Sequence, residues 1–562
     1  MTIDAPLDYV HSVTDKLTGF TFQDRRGRAA MAALALASLL AAAAAAAGPP
    51  LAGVEARFLE YLDAVGARDY VESGAVAEYE GRDAEAWSAH AAEAHRRVTA
   101  AIDALDASKL PETEQAALAA MERTLADYGD AADGHEERGC KDAGDTALSY
   151  EDLSEALTAC YREHGNRIAF GEGTIDRAAA LGLLGDLGSA ADRKALFDAF
   201  RPLWQSINGQ NEPGSPYRRL IRQAAQDAAV NGSEIARAAS AIGVTTDEIE
   251  RWLVRILEAW RDANPGGLIE PWDYRYAIGA AQRRLAPRIP PAAIMLSSDL
   301  YYRELGAELK ALGVVYDIGE RPDKSPFAYC DFLRRGRGVD GHWQPTIARV
   351  VGRYSQSGGL GAINELVHEN GHAVHISAIR NRPAYTDWPD TLFTEAFADV
   401  PSWSVYEPAW QRKFLGAEVP VRLGLRALFG SVMLDVAWSL FELRLLREPE
   451  TDPNALWTAI TQEYLRIRPH PELAWWAVRV QLVSGPGYMV NYGLGAVLTA
   501  EIRAQTVRTI GPFDAGNARW YAWSSERLLR FGSERSTTLL LRDLLGRPVS
   551  PDALLKEIRR IR

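Results

Sequence analysis

The pattern of apolar and polar positions predicts a chain built largely of helices. Between residues 52 and 265 alanine-rich amphipathic runs follow one another, most clearly from Ala84 to Leu105 and from Leu110 to Ala126. Apolar residues recur there every three or four positions, which places them on one face of a helix. Polar stretches at 128–146 and 208–217 are typical of connections between helices.

The second half of the chain adds one strand signal to this helical pattern. The run from Trp343 to Val351 is rich in β-branched residues and precedes a group of glycines, while 403–446 and 456–465 again have helical spacing. We therefore predict a mostly α fold with a small β-sheet.

The N-terminal segment has the pattern of an export signal. Three arginines (Arg25, Arg26 and Arg28) precede an uncharged run from Ala29 to Ala47, which ends at Gly48. A basic region, an apolar core and small residues at the exit favour a leader over residues 1–48 and an exported, periplasmic or extracellular protein. Two alternatives stay open: an uncleaved membrane anchor, and an alanine-rich helix of a cytoplasmic protein.

Composition sets the domain number and excludes one class of partner. A chain of 562 residues is too long for one core, and 47% hydrophobic residues are ample for globular packing. We therefore divide it into the leader, an N-terminal helical domain at 49–265 and a catalytic domain at 266–562. The formal charge of −13 and the lack of a basic tract argue against nucleic acid as a partner. The oligomeric state is left open.

The three cysteines argue against a thiolate zinc site, because no C-x-x-C pair exists. If the chain is exported, Cys140 and Cys160 can form a disulfide, and Cys330 is then left as a free thiol.

The chemistry is concentrated in the segment His368-Glu369-Asn370-Gly371-His372. Two histidines four positions apart lie one above the other on a helix, so both imidazoles can bind one metal ion. Glu369 then acts as general base for the water that the metal activates, as in zinc peptidases. Gly371 is a poor helix former, and a small residue there lets another backbone or the substrate come close. We expect His375 to be a packed histidine and not a ligand.

A second acidic segment, Thr391 to Asp399, can supply the third ligand. Glu395 and Asp399 share one face of an otherwise apolar helix, which Pro389 and Asp390 begin. A carboxylate pair in such surroundings needs partners. We predict that Glu395 binds the zinc ion and that Asp399 accepts the far N–H of a zinc-bound histidine.

These motifs resemble those of the glutamate-zincins, and their flanks are similar to the thimet oligopeptidase and oligopeptidase F family. The stretch EAFADVPSWSV is also similar, more weakly, to peptidyl-dipeptidases of the angiotensin-converting-enzyme type. The flanking segments that carry the resemblance are 271–276 (PWDYRY), 317–330, 531–535 (FGSER) and 545–555. The resemblance implies a two-lobed helical metallopeptidase whose small sheet lies beside the zinc helix. We assign the 343–351 strand to that sheet and expect its edge to hold an extended peptide.

The resemblance also places the donors that stabilise the oxyanion in the segment 484–493. Tyr492 falls on the last tyrosine of the family's tyrosine-rich motif, while the family's earlier tyrosine and its histidine fall on Met489 and Val480. We therefore expect Tyr492 to donate to the oxyanion, with Tyr488 and His470 as candidates for the missing roles.

The sequence thus predicts a zinc metallopeptidase with one Zn²⁺ ion that hydrolyses short peptides. The alternatives are a peptidyl-dipeptidase and a noncatalytic peptide-binding protein on the same fold. A membrane is a partner only if the N-terminal segment stays uncleaved.

Overall fold

The computed structural model describes residues 50–128, 138–319, 321, 324, 328–354 and 358–562, so the segment assigned to export lies outside the described residues. These residues form a mostly α-helical fold with small sheets, as predicted. The helices of the first part are α1 Ala52–Glu72, α2 Ala84–Asp103, α3 Glu112–Tyr128, α4 Tyr150–Cys160, α5 Arg177–Asp186, α6 Ala190–Asp198, α7 Arg201–Asn208, α8 Pro216–Asn231, α9 Glu234–Ile242 and α10 Thr246–Ala263. The later helices are α11 Tyr274–Ile278, α12 Ala280–Leu285, α13 Pro291–Glu304, α14 Leu360–Ala378, α15 Thr391–Ser402, α16 Pro408–Leu415, α17 Val421–Arg447, α18 Pro453–Leu465, α19 Gln481–Ser484, α20 Met489–Ile510, α21 Trp520–Ser524, α22 Thr537–Leu545 and α23 Asp552–Arg559.

Side-chain caps fix where several of these helices begin. Thr245 and Glu248 form a reciprocal capping box at the start of α10. Asp390 caps α15, where its carboxylate accepts a 2.8 Å hydrogen bond from the backbone N–H of Phe393. The helix that carries both acidic residues of the predicted site therefore starts at the position expected from the sequence.

The strands pair into three small sheets. Their bounds are β1 Ile168–Phe170, β2 Gly173–Ile175, β3 Val315–Asp317, β4 Tyr329–Arg334, β5 Arg337–Val339, β6 His342–Gln344 and β7 Ile347–Val351. Strands β1 and β2 form one antiparallel pair and β5 and β6 another, while the third sheet has the order β3-β7-β4.

The strand predicted over 343–351 differs from the structure in two ways. It is divided into β6 and β7, and β7 is the central strand, parallel to β3 and antiparallel to β4. Both of its edges are therefore occupied by main-chain partners. The expectation that the edge of this strand holds an extended peptide is wrong, because an added strand needs free N–H and C=O groups.

Two hydrophobic cores organise the described residues. Helices α1, α2 and α3 pack around a small core of their own, whereas apolar residues from Ala143 to Ile561 share one large core. The division at residue 265 stays a prediction.

Charged contacts attach the first three helices to the turn before α15. Arg382 lies in that turn and donates to Glu55 of α1 at 2.7 Å and to Glu114 of α3 at 2.7 and 3.0 Å. The hydrogen bonds that Arg382 donates to these carboxylates raise its pKa. This ion-pair cluster joins the small core to the segment that carries the second half of the predicted site.

The disulfide predicted between Cys140 and Cys160 is present, and Cys330 is a free cysteine. Among the described helices, α17 is long and apolar enough to span a membrane by length and composition. It packs against α10 and α20 with 67% of its most apolar stretch buried, so we describe it as a core helix.

Candidate metal centre

Helices α14 and α15 bring the predicted ligands together. His368 and His372 lie one turn apart on α14, with ring centroids 4.8 Å apart and Nε2 atoms 3.1 Å apart. The Glu395 carboxylate on α15 lies 3.5 Å from His368 Nε2. One ligand atom from each of the three residues lies within 4.8 Å of the other two, so the group can hold a metal ion.

Asp399 fixes the orientation of the first histidine. Its Oδ1 atom lies 2.8 Å from His368 Nδ1 and accepts a second hydrogen bond, of 2.9 Å, from the Ser402 hydroxyl. Because a carboxylate only accepts, His368 carries a proton on Nδ1. Its Nε2 atom faces the centre and would offer a lone pair to a metal ion once it has lost its own proton. Burial alone would lower the pKa of His368, but the adjacent Asp399 and Glu395 carboxylates raise it well above its usual value.

The donor set fits a zinc ion. Two nitrogen ligands of one tetrahedral zinc lie about 3.3 Å apart, close to the 3.1 Å between the two imidazole nitrogens. Burial lowers the pKa of His372 to about 3, so this ring is neutral and offers a lone pair. A carboxylate and two neutral imidazoles are a common catalytic zinc set.

Glu369 has the position and the free oxygen of a general base. It follows the first histidine on α14, is 6% exposed, and its Oε2 atom has no hydrogen-bond partner among the described residues. Burial raises the pKa of its carboxyl to about 8. Burying a carboxylate without a partner costs free energy, and such groups are found where a side chain exchanges a proton with a bound ligand.

Gly371 lets the two helices approach each other. A Cβ atom at this position would lie 2.7 Å from the Ala398 Cα and 2.8 Å from its carbonyl oxygen on α15. The prediction that a small residue there admits another backbone is confirmed. The spacing of α14 and α15, and with it the distance between His368 and Glu395, depends on this contact.

His375 is packed among aromatic rings, as predicted. It is fully buried, with centroids 5.5 Å from Trp388, 5.7 Å from Phe393 and 5.6 Å from Phe397. Neither ring nitrogen has a partner within the described part of the chain, and burial lowers its pKa to about 3.

Of the two predicted tyrosines, Tyr488 makes the direct contact with the centre. Its hydroxyl donates a 3.2 Å hydrogen bond to Glu395 Oε1, and its ring lies 5.6 Å from that of Tyr492. The Tyr492 hydroxyl accepts a 3.4 Å hydrogen bond from Gln481. Burial raises the pKa of both tyrosines, so both phenols keep their protons at neutral pH. Met489 is fully buried.

His470 makes its contacts with a different set of residues. Its ring nitrogens lie 2.9 Å from Glu270 and 2.7 Å from Glu472, and its ring is 5.4 Å from that of Trp272. Burial lowers its pKa, but hydrogen bonds to the two carboxylates outweigh this and raise it. Its role as an oxyanion donor stays a prediction, and the metal-binding group does not include it.

Sequence reasoning did not find the arginines near this centre. Arg479 lies with its guanidinium carbon 5.5 Å from the centroid of the Tyr492 ring, and its charge interacts with that of Glu395. Arg177 and Arg275 in turn lie close enough to lower the pKa of Arg479. Arg275 lies in the PWDYRY segment, but no local pattern connects it with Arg177 and Arg479, which come from distant segments.

The fold and the donor set together define a helical chain with a candidate metal centre of the HExxH type. Its fold is similar to that of a solved structure, Trypanosoma cruzi metallocarboxypeptidase 1, with a TM-score of 0.52 and 15% identity over 91% of this chain and 99% of the other. No family model and no curated protein matches the chain. The resemblance to the thimet oligopeptidase and oligopeptidase F family therefore stays a prediction.

Proposed function

We propose that the chain is a zinc-dependent metallopeptidase that hydrolyses short peptides. The observation that carries this proposal is the convergence of His368, His372 and Glu395, with Asp399 on the far nitrogen of the first histidine. Three converging donors beside a buried base are the arrangement that a catalytic zinc site requires. The similarity of its fold to that of a metallocarboxypeptidase agrees with the proposal.

His368, His372 and Glu395 would hold the zinc ion, which when bound supplies a Lewis acid that activates water and polarises the scissile carbonyl. Asp399 keeps the His368 proton on Nδ1. Glu369 takes a proton from the attacking water at its unpartnered Oε2 atom and passes it to the nitrogen of the departing amine.

Stabilisation of the oxyanion is assigned to a tyrosine. Tyr488 is favoured over Tyr492, because its hydroxyl already lies 3.2 Å from the Glu395 carboxylate. With Glu395 holding a metal ion, Tyr488 would be able to turn this hydroxyl from the carboxylate to the oxyanion as acceptor.

Two other functions fit the same arrangement. A peptidyl-dipeptidase would use the same centre but release two residues from the C-terminus of its substrate. A noncatalytic peptide-binding protein would keep the fold and lose the chemistry; the presence of all three donors and of Glu369 argues against this alternative.

Hydrolysis of a quenched peptide library with the zinc-loaded protein, before and after treatment with a chelator, tests the proposal. We expect cleavage that the chelator abolishes and that zinc restores. Persistent cleavage in the metal-free protein would contradict the zinc mechanism, and no cleavage by the loaded protein would favour the binding protein. The positions of the cuts distinguish internal from terminal cleavage.

A further inference from the structure

Three arginines from distant parts of the chain form a cationic cluster. Arg177 begins α5, Arg275 lies in α11, and Arg479 precedes α19. Burial, together with the positive charge of Arg177, lowers the pKa of Arg275 and of Arg479 to about 10. The three guanidinium groups therefore lie within electrostatic range of one another.

The cluster lies beside the candidate metal centre. Arg479 packs 5.5 Å from the Tyr492 ring, which contacts Tyr488, whose hydroxyl bonds to Glu395. On another side, the charge of Arg177 acts on Glu365, one turn before His368 on α14.

Glu365 lies in the same region and is open to solvent. The residue is exposed to water, and the protein around it raises the pKa of its carboxyl. A carboxyl on the wall of a cleft has both properties. The neighbouring side chains of Arg177, Arg275 and Arg479 are likewise partly exposed.

Two of the three arginines are occupied by internal partners. Arg177 donates a 2.7 Å hydrogen bond to the carbonyl oxygen of Val478, and Arg479 forms an ion pair with Asp435. The Arg275 guanidinium has no hydrogen bond and no ion pair with any described residue. The nearby charged side chain that acts on Arg275 is Arg177, and its positive charge repels that of Arg275. A cation in this position is stabilised by an incoming anion.

A pocket next to Arg275 defines what that anion is attached to. The pocket is small and partly open to solvent. Aromatic rings of Phe197, Trp438 and Trp475 contribute to its walls, and Arg275 is the one charged residue among the described lining residues. A single cation at an otherwise apolar pocket fits a carboxylate that carries an apolar group.

We infer that Arg275 binds the C-terminal carboxylate of a peptide substrate, with the apolar side chain of the last residue beside the adjoining apolar pocket. Arg177 and Arg479 contribute positive potential while they hold the cleft wall. This inference rests on the proposed peptidase function and gives it a direction: the enzyme acts from the C-terminal end of its substrates.

Two peptides that differ only at their last group test the inference. Both are N-acetylated and end in phenylalanine, one as the free acid and the other as the amide. For the zinc-loaded parental protein we expect kcat/KM for the acid to exceed that for the amide by about 10-fold to 100-fold, the range of a charge-assisted hydrogen bond. In Arg275→Gln this ratio should fall to about one, whereas Arg275→Lys should keep part of the preference.

Arg284→Gln is the matched control. Arg284 is an exposed arginine of α12, so this variant removes the same charge outside the cleft. It should keep the parental ratio. If the parental protein cleaves both peptides at equal rates, the inference is overturned, as it is by an unchanged ratio in Arg275→Gln.

Binding separates this inference from the proposed function. In zinc-loaded Glu369→Gln protein, the dissociation constants of the two peptides are measured without hydrolysis. Tighter binding of the acid, lost when Arg275→Gln is added, supports the carboxylate site even if the parental protein cleaves neither peptide. Equal binding of acid and amide refutes the site even if the parental protein is an active peptidase.

Discussion

Gly371→Ala tests whether the close approach of α14 and α15 sets the metal site. The added methyl group would lie 2.7 Å from the Ala398 Cα, where ordinary contact needs about 3.4 Å. The two helices must therefore move apart by roughly 0.7 Å. Ala398 directly precedes Asp399 and lies one turn after Glu395, so both acidic residues move with it.

The expected effect on zinc binding is larger than the effect on stability. Overpacking costs about 1 to 3 kcal/mol, but alanine is about 1 kcal/mol better than glycine in a helix, and the two contributions partly cancel. Metal ligands tolerate only about 0.2 Å of displacement. We therefore expect zinc affinity to fall about 10-fold to 100-fold, as when a residue that orients a ligand is lost.

Competition with a chelator of known affinity measures the zinc dissociation constant, and thermal unfolding of the metal-free protein measures stability. Gly361→Ala is the matched control, because Gly361 lies in the first turn of the same helix with no atom within 4 Å of an added Cβ. If Gly371→Ala binds zinc as tightly as Gly361→Ala, the helix spacing does not set the metal site and the reasoning is refuted.

Four further predictions follow from the site and the disulfide. Glu369→Gln should keep zinc bound and lose hydrolysis; loss of zinc, measured by metal analysis, would contradict its role as a base. Tyr488→Phe should lower kcat about 10²-fold with little change in KM, and Tyr492→Phe should lower kcat less. Single-turnover kinetics on zinc-saturated variants measure both effects, and a larger loss in Tyr492→Phe would contradict this order. His375 has a folded pKa of about 3, below the unfolded 6.5, so its contribution to stability is present above pH 6.5 and is lost as pH falls. His375→Phe, compared with the parental protein in the metal-free state, should therefore remove about 2 kcal/mol of the destabilisation between pH 6.5 and pH 5; equal acid sensitivity would contradict this. Thiol titration of denatured protein from the native host should find one reactive thiol, that of Cys330, and three would mean that the disulfide does not form and would favour a cytoplasmic protein.

The helices and the core of the metal centre could be predicted because their signals are local. The spacing of the two histidines places both on one helix face, and the apolar neighbours of Glu395 and Asp399 indicate a buried helix that needs partners. Gly371 is out of place in a helix unless something comes close, and the partner is the backbone of Ala398.

The features that the sequence could not place depend on contacts between distant segments. Whether β7 is an edge or a central strand is decided by β3 and β4, which no pattern within β7 reveals. The role left open by Met489 is another case: Met489 is buried on α20, while the hydroxyl of the preceding residue, Tyr488, contacts Glu395. His470 is paired with Glu270, a residue far away in sequence.

The ion-pair cluster around Arg382 limits how this protein can be divided. Glu55 and Glu114 belong to helices with a small core of their own, yet their charges are neutralised by a residue in the turn before α15. Removing or exchanging the first three helices would leave Arg382 without its carboxylates just before the helix that carries Glu395. The N-terminal helices are therefore not an exchangeable module, and grafting them onto a related catalytic half requires an arginine at the equivalent turn.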